Sequence, residues 1–305
     1  MTYGAGQYRY ELQPHWAKMP RGRAFVDVSG LAVDPADNVY VFSRSDHPIM
    51  VFDREGTFLL GWGEGHFNRP HSIKVASDGT VWCTDDGNQT VSAFTSDGRL
   101  IGQFGGEHGV SGIGRITGIA VAPNGDVVVG DTNAERIVRF DADGNFLSAS
   151  GSEGTGPGQF RDPHDFWFDA AGRLLVVDRD NNRIQVFGED NDLLGQLTDV
   201  DRPTAVFVDG RGDIYVSEGH QRVSVFAPDG RLLSRFGSQG EDKATALFHT
   251  PHAIVVNSEQ TIFVGENRHG LGDSDAPARA LQAFVRLENQ EDQSTPGRTN
   301  NVISA

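Results

Sequence analysis

Three histidines of this 305-residue chain stand in Pro-His dipeptides, within RPHSI (His71), DPHDF (His164) and TPHAI (His252). Neutral imidazole is a good ligand for zinc, and it also suits iron, copper and nickel. Three imidazoles with a fourth position left open make the arrangement of a catalytic zinc centre. Such a centre acidifies bound water and polarises a carbonyl or hydroxyl oxygen. These residues are far apart in the sequence, so the chemistry requires a fold that returns the chain to one point at regular intervals.

An internal repeat supplies that fold. Units start near Phe25, Asn68, Gly114, Arg161, Asp201 and His249, and the second reads NRPHSIKVASDGTVWCTDDGNQTVSAFTSDGRLIGQFG. Each unit has an alternating run, an Asp-Gly or Asn-Gly turn, and a second run. A loop, a third run, another turn and a fourth run follow. Period-two alternation between such turns marks β-hairpins, and four short strands every forty to fifty residues or so make a propeller blade. The sequence therefore predicts an all-β, six-bladed β-propeller as one domain over residues 1–290. The blades fall at about 25–62, 67–105, 113–151, 160–198, 201–237 and 248–287. Residues 8–12 (YRYEL) read as an outer strand that closes the ring, because closure removes exposed edges. Residues 291–305 are a polar tail, expected to be loose or packed on the surface.

Aligned on the first run, the units place Ser29, His71, Thr117, His164, Thr204 and His252 at one position. First strands line the channel of a propeller, and alternate blades lie about 120° apart. The three histidines would thus form a tripod, with Ser29, Thr117 and Thr204 between them leaving room for substrate or water. Any single Pro-His would more often be an ordinary core or surface histidine; three at one repeat position in alternate blades are hard to reach by chance. His15, His47, His66, His108 and His249 show no such register. His220 and His269 follow second strands at the same mouth and are further candidates for channel lining. Arg44 and Arg179 occupy equivalent positions after the second strands of blades one and four. There a guanidinium could hold a carboxylate or carbonyl oxygen, or simply pair with an acid such as Asp46 or Asp180. Arg136 and Arg183 read as ordinary parts of the repeat. So do the acids after the second strands (Asp85, Asp131, Asp178, Glu218, Glu266), expected to accept N–H groups of the following turn.

A formal net charge of −16 argues against nucleic acid or an anionic membrane as partner, since both need a basic footprint. No apolar run is long enough to span a bilayer, and the N-terminus lacks the apolar core of a secretory signal. The single cysteine, Cys83, excludes an internal disulfide, suits a reducing cytoplasm, and reads as a small core residue. A small molecule is the expected partner.

The units resemble NHL repeats, most fully in GTGPGQFRDPHDFWFDAAGRLLVVDRDNNRIQVF (residues 154–187), and the resemblance covers roughly residues 25–287. At the residues singled out above, the chain also resembles the peptidyl-α-hydroxyglycine α-amidating lyases. Those are six-bladed NHL propellers that hold zinc with three histidines and release an amidated peptide and glyoxylate. The resemblance implies His71, His164 and His252 as zinc ligands and Arg44 (in YVFSRS) and Arg179 (in VDRDNNRIQ) as substrate-binding arginines. Three departures stand beside it. Blade three reads GDTNAERI, without the family's catalytic tyrosine. Ala253 replaces an aspartate of the family's calcium site, and the family's disulfides have no counterpart.

Three functions remain open on this reading. The first is a zinc-dependent lyase acting on a small α-hydroxyamide or hemiaminal-like substrate. The second is a zinc-dependent hydrolase of an amide, ester or lactone. The third is a non-catalytic NHL propeller that binds a protein or ligand, because fold alone does not set function. A calcium lactonase is disfavoured, since its channel would carry Glu, Asp and Asn instead of imidazoles.

Overall fold

A computed structural model describes residues 1–105, 113–237, 246–267 and 280–287. The 267–279 insertion (Asn267 apart), His108, His269 and the 291–305 tail lie outside the described residues.

Two N-terminal strands, β1 (Thr2–Ala5) and β2 (Tyr8–Gln13), precede the blades. Blade one is β3–β6 (Val28–Val33, Val39–Ser43, Ile49–Phe52, Phe58–Trp62) and blade two is β7–β10 (Pro70–Val75, Val81–Asp85, Thr90–Phe94, Leu100–Gly105). Blade three is β11–β14 (Ile116–Val121, Val127–Asp131, Arg136–Phe140, Phe146–Ser150). Blade four is β15–β18 (Pro163–Phe168, Leu174–Asp178, Arg183–Phe187, Leu193–Leu197), and blade five is β19–β22 (Pro203–Val208, Ile214–Glu218, Arg222–Phe226, Leu232–Gly237). Blade six begins with β23–β25 (Pro251–Val256, Ile262–Glu266, Leu281–Arg286). Its fourth strand is β2, paired antiparallel to β25 from the other end of the chain, and β1 adds a fifth outside it. The outer pairing of residues 8–12 is thus present, while β1 has no counterpart in the repeat.

The core is divided among the blade interfaces. Six apolar clusters each span two neighbouring blades: Tyr40, Phe42, Ile73 and Cys83 join blades one and two, and Phe160, Phe166 and Val176 lie between blades three and four. Burying apolar area between blades favours ring closure at about 25 cal/mol per Å². The hairpin turns supply the tight reversals: Gly79, at φ 86°, donates its N–H to the Ala76 carbonyl at 2.9 Å. A positive φ is where glycine is favoured over other residues.

The acids after the second strands bind chiefly elsewhere than expected. Each accepts an N–H from the segment arriving from the previous blade. Asp85 takes that of Asn68, Asp131 that of Gly114, Asp178 that of Arg161, Glu218 that of Asp201 and Glu266 that of His249. Asp85 also binds backbone N–H groups of its following turn, at Gly87 and Asn88. The acids therefore tie blade to blade at the mouth where the first strands begin. Arg136 and Arg183 pair with Asp131 and Asp178, in keeping with a structural role. Among the described residues no helix is long and apolar enough to cross a membrane.

Candidate metal centre

The first strand of every blade carries a register shift at or beside the ring position: Val28/Gly30, Pro70/Ser72, Ile116/Ile119, Pro163/Phe166, Pro203/Ala205 and Pro251/Ala253. A β-bulge re-aims a side chain locally, and here it coincides with the residues that face the axis. His71, His164 and His252 converge, with ring centroids 5.0, 5.2 and 4.9 Å apart. One nitrogen from each lies within 4.8 Å of the others, and all three residues are buried.

The three hydroxyl residues bond to the frame, and Ser29 and Thr204 also line the void around the tripod, whereas Thr117 is not among its lining residues. Thr117 Oγ1 donates to the Pro163 carbonyl at 2.9 Å, and Thr204 Oγ1 donates to the Pro251 carbonyl at 2.8 Å. Ser29 Oγ donates to the Phe42 carbonyl at 3.3 Å. Two of the prolines that precede tripod histidines are thereby fixed by hydroxyls of the neighbouring blade, and the third, Pro70, accepts from Arg44 Nε at 3.1 Å. The void around the tripod, to which Ser29 and Thr204 contribute, measures about 10 Å³. That is room for about one small atom.

The donor set fits a metal ion. His164 Nε2 is buried without a hydrogen-bond partner, which is costly for a polar atom unless something occupies the site. Burial holds the His71 and His164 imidazoles well below their ordinary pKa, and neighbouring positive groups add to the effect. For His71 these are His252, Arg44, Arg115 and Arg179; for His164 they are Arg179 and the other two imidazoles. Neutral imidazoles are the ligating form.

Arg44 and Arg179 are mostly buried near this centre. Arg44 lies 3.5 Å from Asp27 Oδ2, and Arg179 pairs with Asp162 and lies 3.6 Å from Asp180. Asp180 is thus a partner of Arg179, whereas the partner found for Arg44 is Asp27 and not Asp46. Sequence reading missed Arg115, whose guanidinium holds Asp86 together with that of Arg69. Its signal was there: Asp27, Arg69, Arg115, Asp162, Arg202 and Thr250 all stand two residues before the ring position. In the GDTNAERI stretch of blade three, the Thr132 hydroxyl donates to the Arg115 carbonyl. His220 sits half-exposed, 3.0 Å from Asp201, and does not line the void.

Below the tripod the channel is closed by an ion pair. Lys74 Nζ lies 3.4 Å from Asp165 Oδ1 and 4.8 Å from the centroid of the Trp167 ring. Asp165 also accepts the Val206 N–H, and burial raises its pKa while Lys74 opposes that rise. Beyond Lys74 a cavity of about 830 Å³ opens on the other face, walled by Trp82, Phe104, Trp167 and Phe168.

Comparison with known proteins agrees with this architecture. A family model described as a six-bladed β-propeller, DUF5128, matches residues 111–216. Human NHL repeat-containing protein 3 is 32% identical over 246 residues, 73% of this chain and 65% of that protein. A probable peptidyl-α-hydroxyglycine α-amidating lyase of Caenorhabditis elegans is 29% identical over 221 residues, 61% of each chain. This chain thus spans somewhat less than two thirds of the length of these relatives. Among solved structures, a catalytically inactive variant of virginiamycin B lyase from Staphylococcus aureus superposes with a TM-score of 0.63 at 15% identity, covering 91% of this chain and 99% of that one. At that identity the likeness is one of fold. The chain is a six-bladed β-propeller of NHL-type repeats, related to NHL repeat-containing proteins and to the peptidyl-α-hydroxyglycine amidating lyases.

Proposed function

We propose that this protein is a zinc-dependent lyase that cleaves a small α-hydroxyamide or related hemiaminal. The observation that carries the reading is the buried tripod of His71, His164 and His252, with ligand nitrogens within 4.8 Å of one another and His164 Nε2 buried without a partner. The kinship with an amidating lyase supports the same chemistry. Bound zinc would polarise the substrate hydroxyl oxygen and lower its pKa. In the reaction the hydroxyl proton leaves, the oxygen closes to a carbonyl, and the C–N bond breaks. Nitrogen departs with the bonding pair and takes up a proton.

The chain's own residues have separate tasks. His71 and His164, neutral through burial, can hold the metal together with His252 without first losing protons. Arg44 and Arg179 are placed to bind a carboxylate or carbonyl oxygen of the substrate and to oppose negative charge that develops there. Both are already tethered, Arg44 to Asp27 and Pro70 and Arg179 to Asp162, so little ordering remains to be done on binding. The buried, unbridged Cys83 suits a reducing cytoplasm.

The test is metal content by mass spectrometry of protein purified without chelator or nickel. About one zinc per chain, lost in His164→Ala and His252→Ala, is expected. Turnover of α-hydroxyamides in ¹⁸O-labelled water should then leave the label out of the initial carbonyl product, measured before it exchanges. Label incorporation would indicate hydrolysis instead. No bound metal, and none taken up from added zinc, would leave a binding propeller.

A further inference from the structure

The tripod is not three-fold symmetric in its supports. His164 Nδ1 donates to the Thr204 carbonyl at 2.7 Å, and His252 Nδ1 donates to the Ser29 carbonyl at 2.9 Å. In both cases the acceptor is the ring residue of the next blade. By the same geometry His71 would donate to the carbonyl of Thr117. No such bond is present: Thr84 Oγ1 donates to that oxygen at 2.6 Å, and His71 Nδ1 is buried without a partner. Thr84 is itself held in place, since its hydroxyl accepts the Ser72 N–H at 3.0 Å across the bulge beside His71. The equivalent second-strand residues of the other histidine blades, Val177 and Gly265, have no hydroxyl to offer.

A hydrogen bond from the outer nitrogen of a ligating histidine fixes its tautomer and ring orientation and raises its basicity; losing such a partner commonly costs 10–100-fold in metal affinity. We infer that Thr84 is a positioning residue that makes the centre two-plus-one. His164 and His252 are firmly oriented ligands, and His71 is the weakly held one. This rests on the zinc reading above. A centre with one loosely oriented ligand can shift coordination at lower cost when a substrate oxygen enters, while two fixed ligands retain the ion.

The test measures zinc affinity by competition with a chelator, together with the rate of zinc release into excess chelator. Thr84→Val removes the competing donor at nearly constant shape and frees the Thr117 carbonyl for His71. It should bind zinc about 10-fold more tightly and release it more slowly. Thr84→Ser keeps the hydroxyl and should match the wild type. Independently of any change at Thr84, His71→Ala should weaken binding less than His164→Ala or His252→Ala does. Cobalt substitution adds a spectroscopic reading, with the ligand-field bands of Thr84→Val shifted and those of Thr84→Ser unmoved. Unchanged or weaker zinc binding in Thr84→Val, or equal losses in the three alanine variants, would overturn the inference. A wild-type protein that takes up no zinc would instead sink the reading on which it rests.

Discussion

The imidazole of His164 donates through Nδ1 to the backbone carbonyl of Thr204, 2.7 Å away in the next blade. The hydroxyl of that same threonine donates to the Pro251 carbonyl, one residue ahead of His252. Thr204 therefore positions one tripod histidine with its main chain and the strand of another with its side chain. Thr204→Val leaves the Pro251 carbonyl and the Ser217 hydroxyl, both buried, without this partner. The expected cost is about 1–3 kcal/mol of stability, with zinc affinity falling about 10-fold as His252 loses its setting. Urea unfolding and chelator competition read the two effects, and Thr204→Ser should restore both.

The close approach of blades three and four yields a second expectation. A Cβ added at Gly118 would lie 2.5 Å from the His164 carbonyl oxygen and 2.5 Å from the Asp165 Cα. Both obstacles are backbone, so the strands themselves must separate. Gly118→Ala should lose about 1–3 kcal/mol by overpacking and reduce zinc occupancy, because the strand that moves carries His164. Full occupancy at wild-type stability would show that the interface yields without disturbing the tripod.

Much of this centre was legible because a propeller turns repeat position into angle. Once six units are aligned, Pro-His in alternate units places three imidazoles around one axis without any knowledge of contacts. Closure by Tyr8–Gln13 was legible for another reason: residues 8–12 read as an outer strand, and closing the ring removes exposed edges. The roles of Ser29, Thr117 and Thr204 were not legible. Their side-chain directions depend on the bulge in each first strand, and a one-residue irregularity leaves no signature in period-two alternation. Arg115 was hidden differently. Its repeat position, two residues before the ring, was visible, but its tie to Asp86 joins adjacent blades through side chains whose reach alone decides the contact.

Lys74 and Asp165 belong to different blades and meet where the channel narrows beneath the histidines. Neither has much access to water, so removing one partner strands a buried charge. Lys74→Met should destabilise the fold by about 3–5 kcal/mol at neutral pH, and adding Asp165→Leu should recover most of that loss. The loss should also shrink on acidification. Burial raises the Asp165 pKa and Lys74 opposes the rise, so without Lys74 the folded-state pKa climbs further above the unfolded value. A folded state that binds its proton more tightly gains stability as pH falls through that pKa. A pH-independent deficit in urea unfolding would count against this account.

The metal-free protein should respond to acid in the opposite sense. In the folded state His71 and His164 are held well below the ordinary imidazole value, first by burial and then by neighbouring imidazoles and arginines. In the unfolded chain each titrates near 6.5. Between those limits the unfolded state binds more protons, so the contribution is fully present above about pH 6.5 and is lost as pH falls below it. Each histidine contributes a slope of up to about 1.4 kcal/mol per pH unit. Zinc competes with protons for the same nitrogens, so saturating zinc should move the acid loss to lower pH. The check is urea unfolding between pH 7.5 and pH 4.5, run with chelator and with zinc, on the wild type and on His71→Ala/His164→Ala. A flatter metal-free profile in the double variant is the expected result. Identical slopes would mean that these imidazoles are not the groups that couple folding to pH.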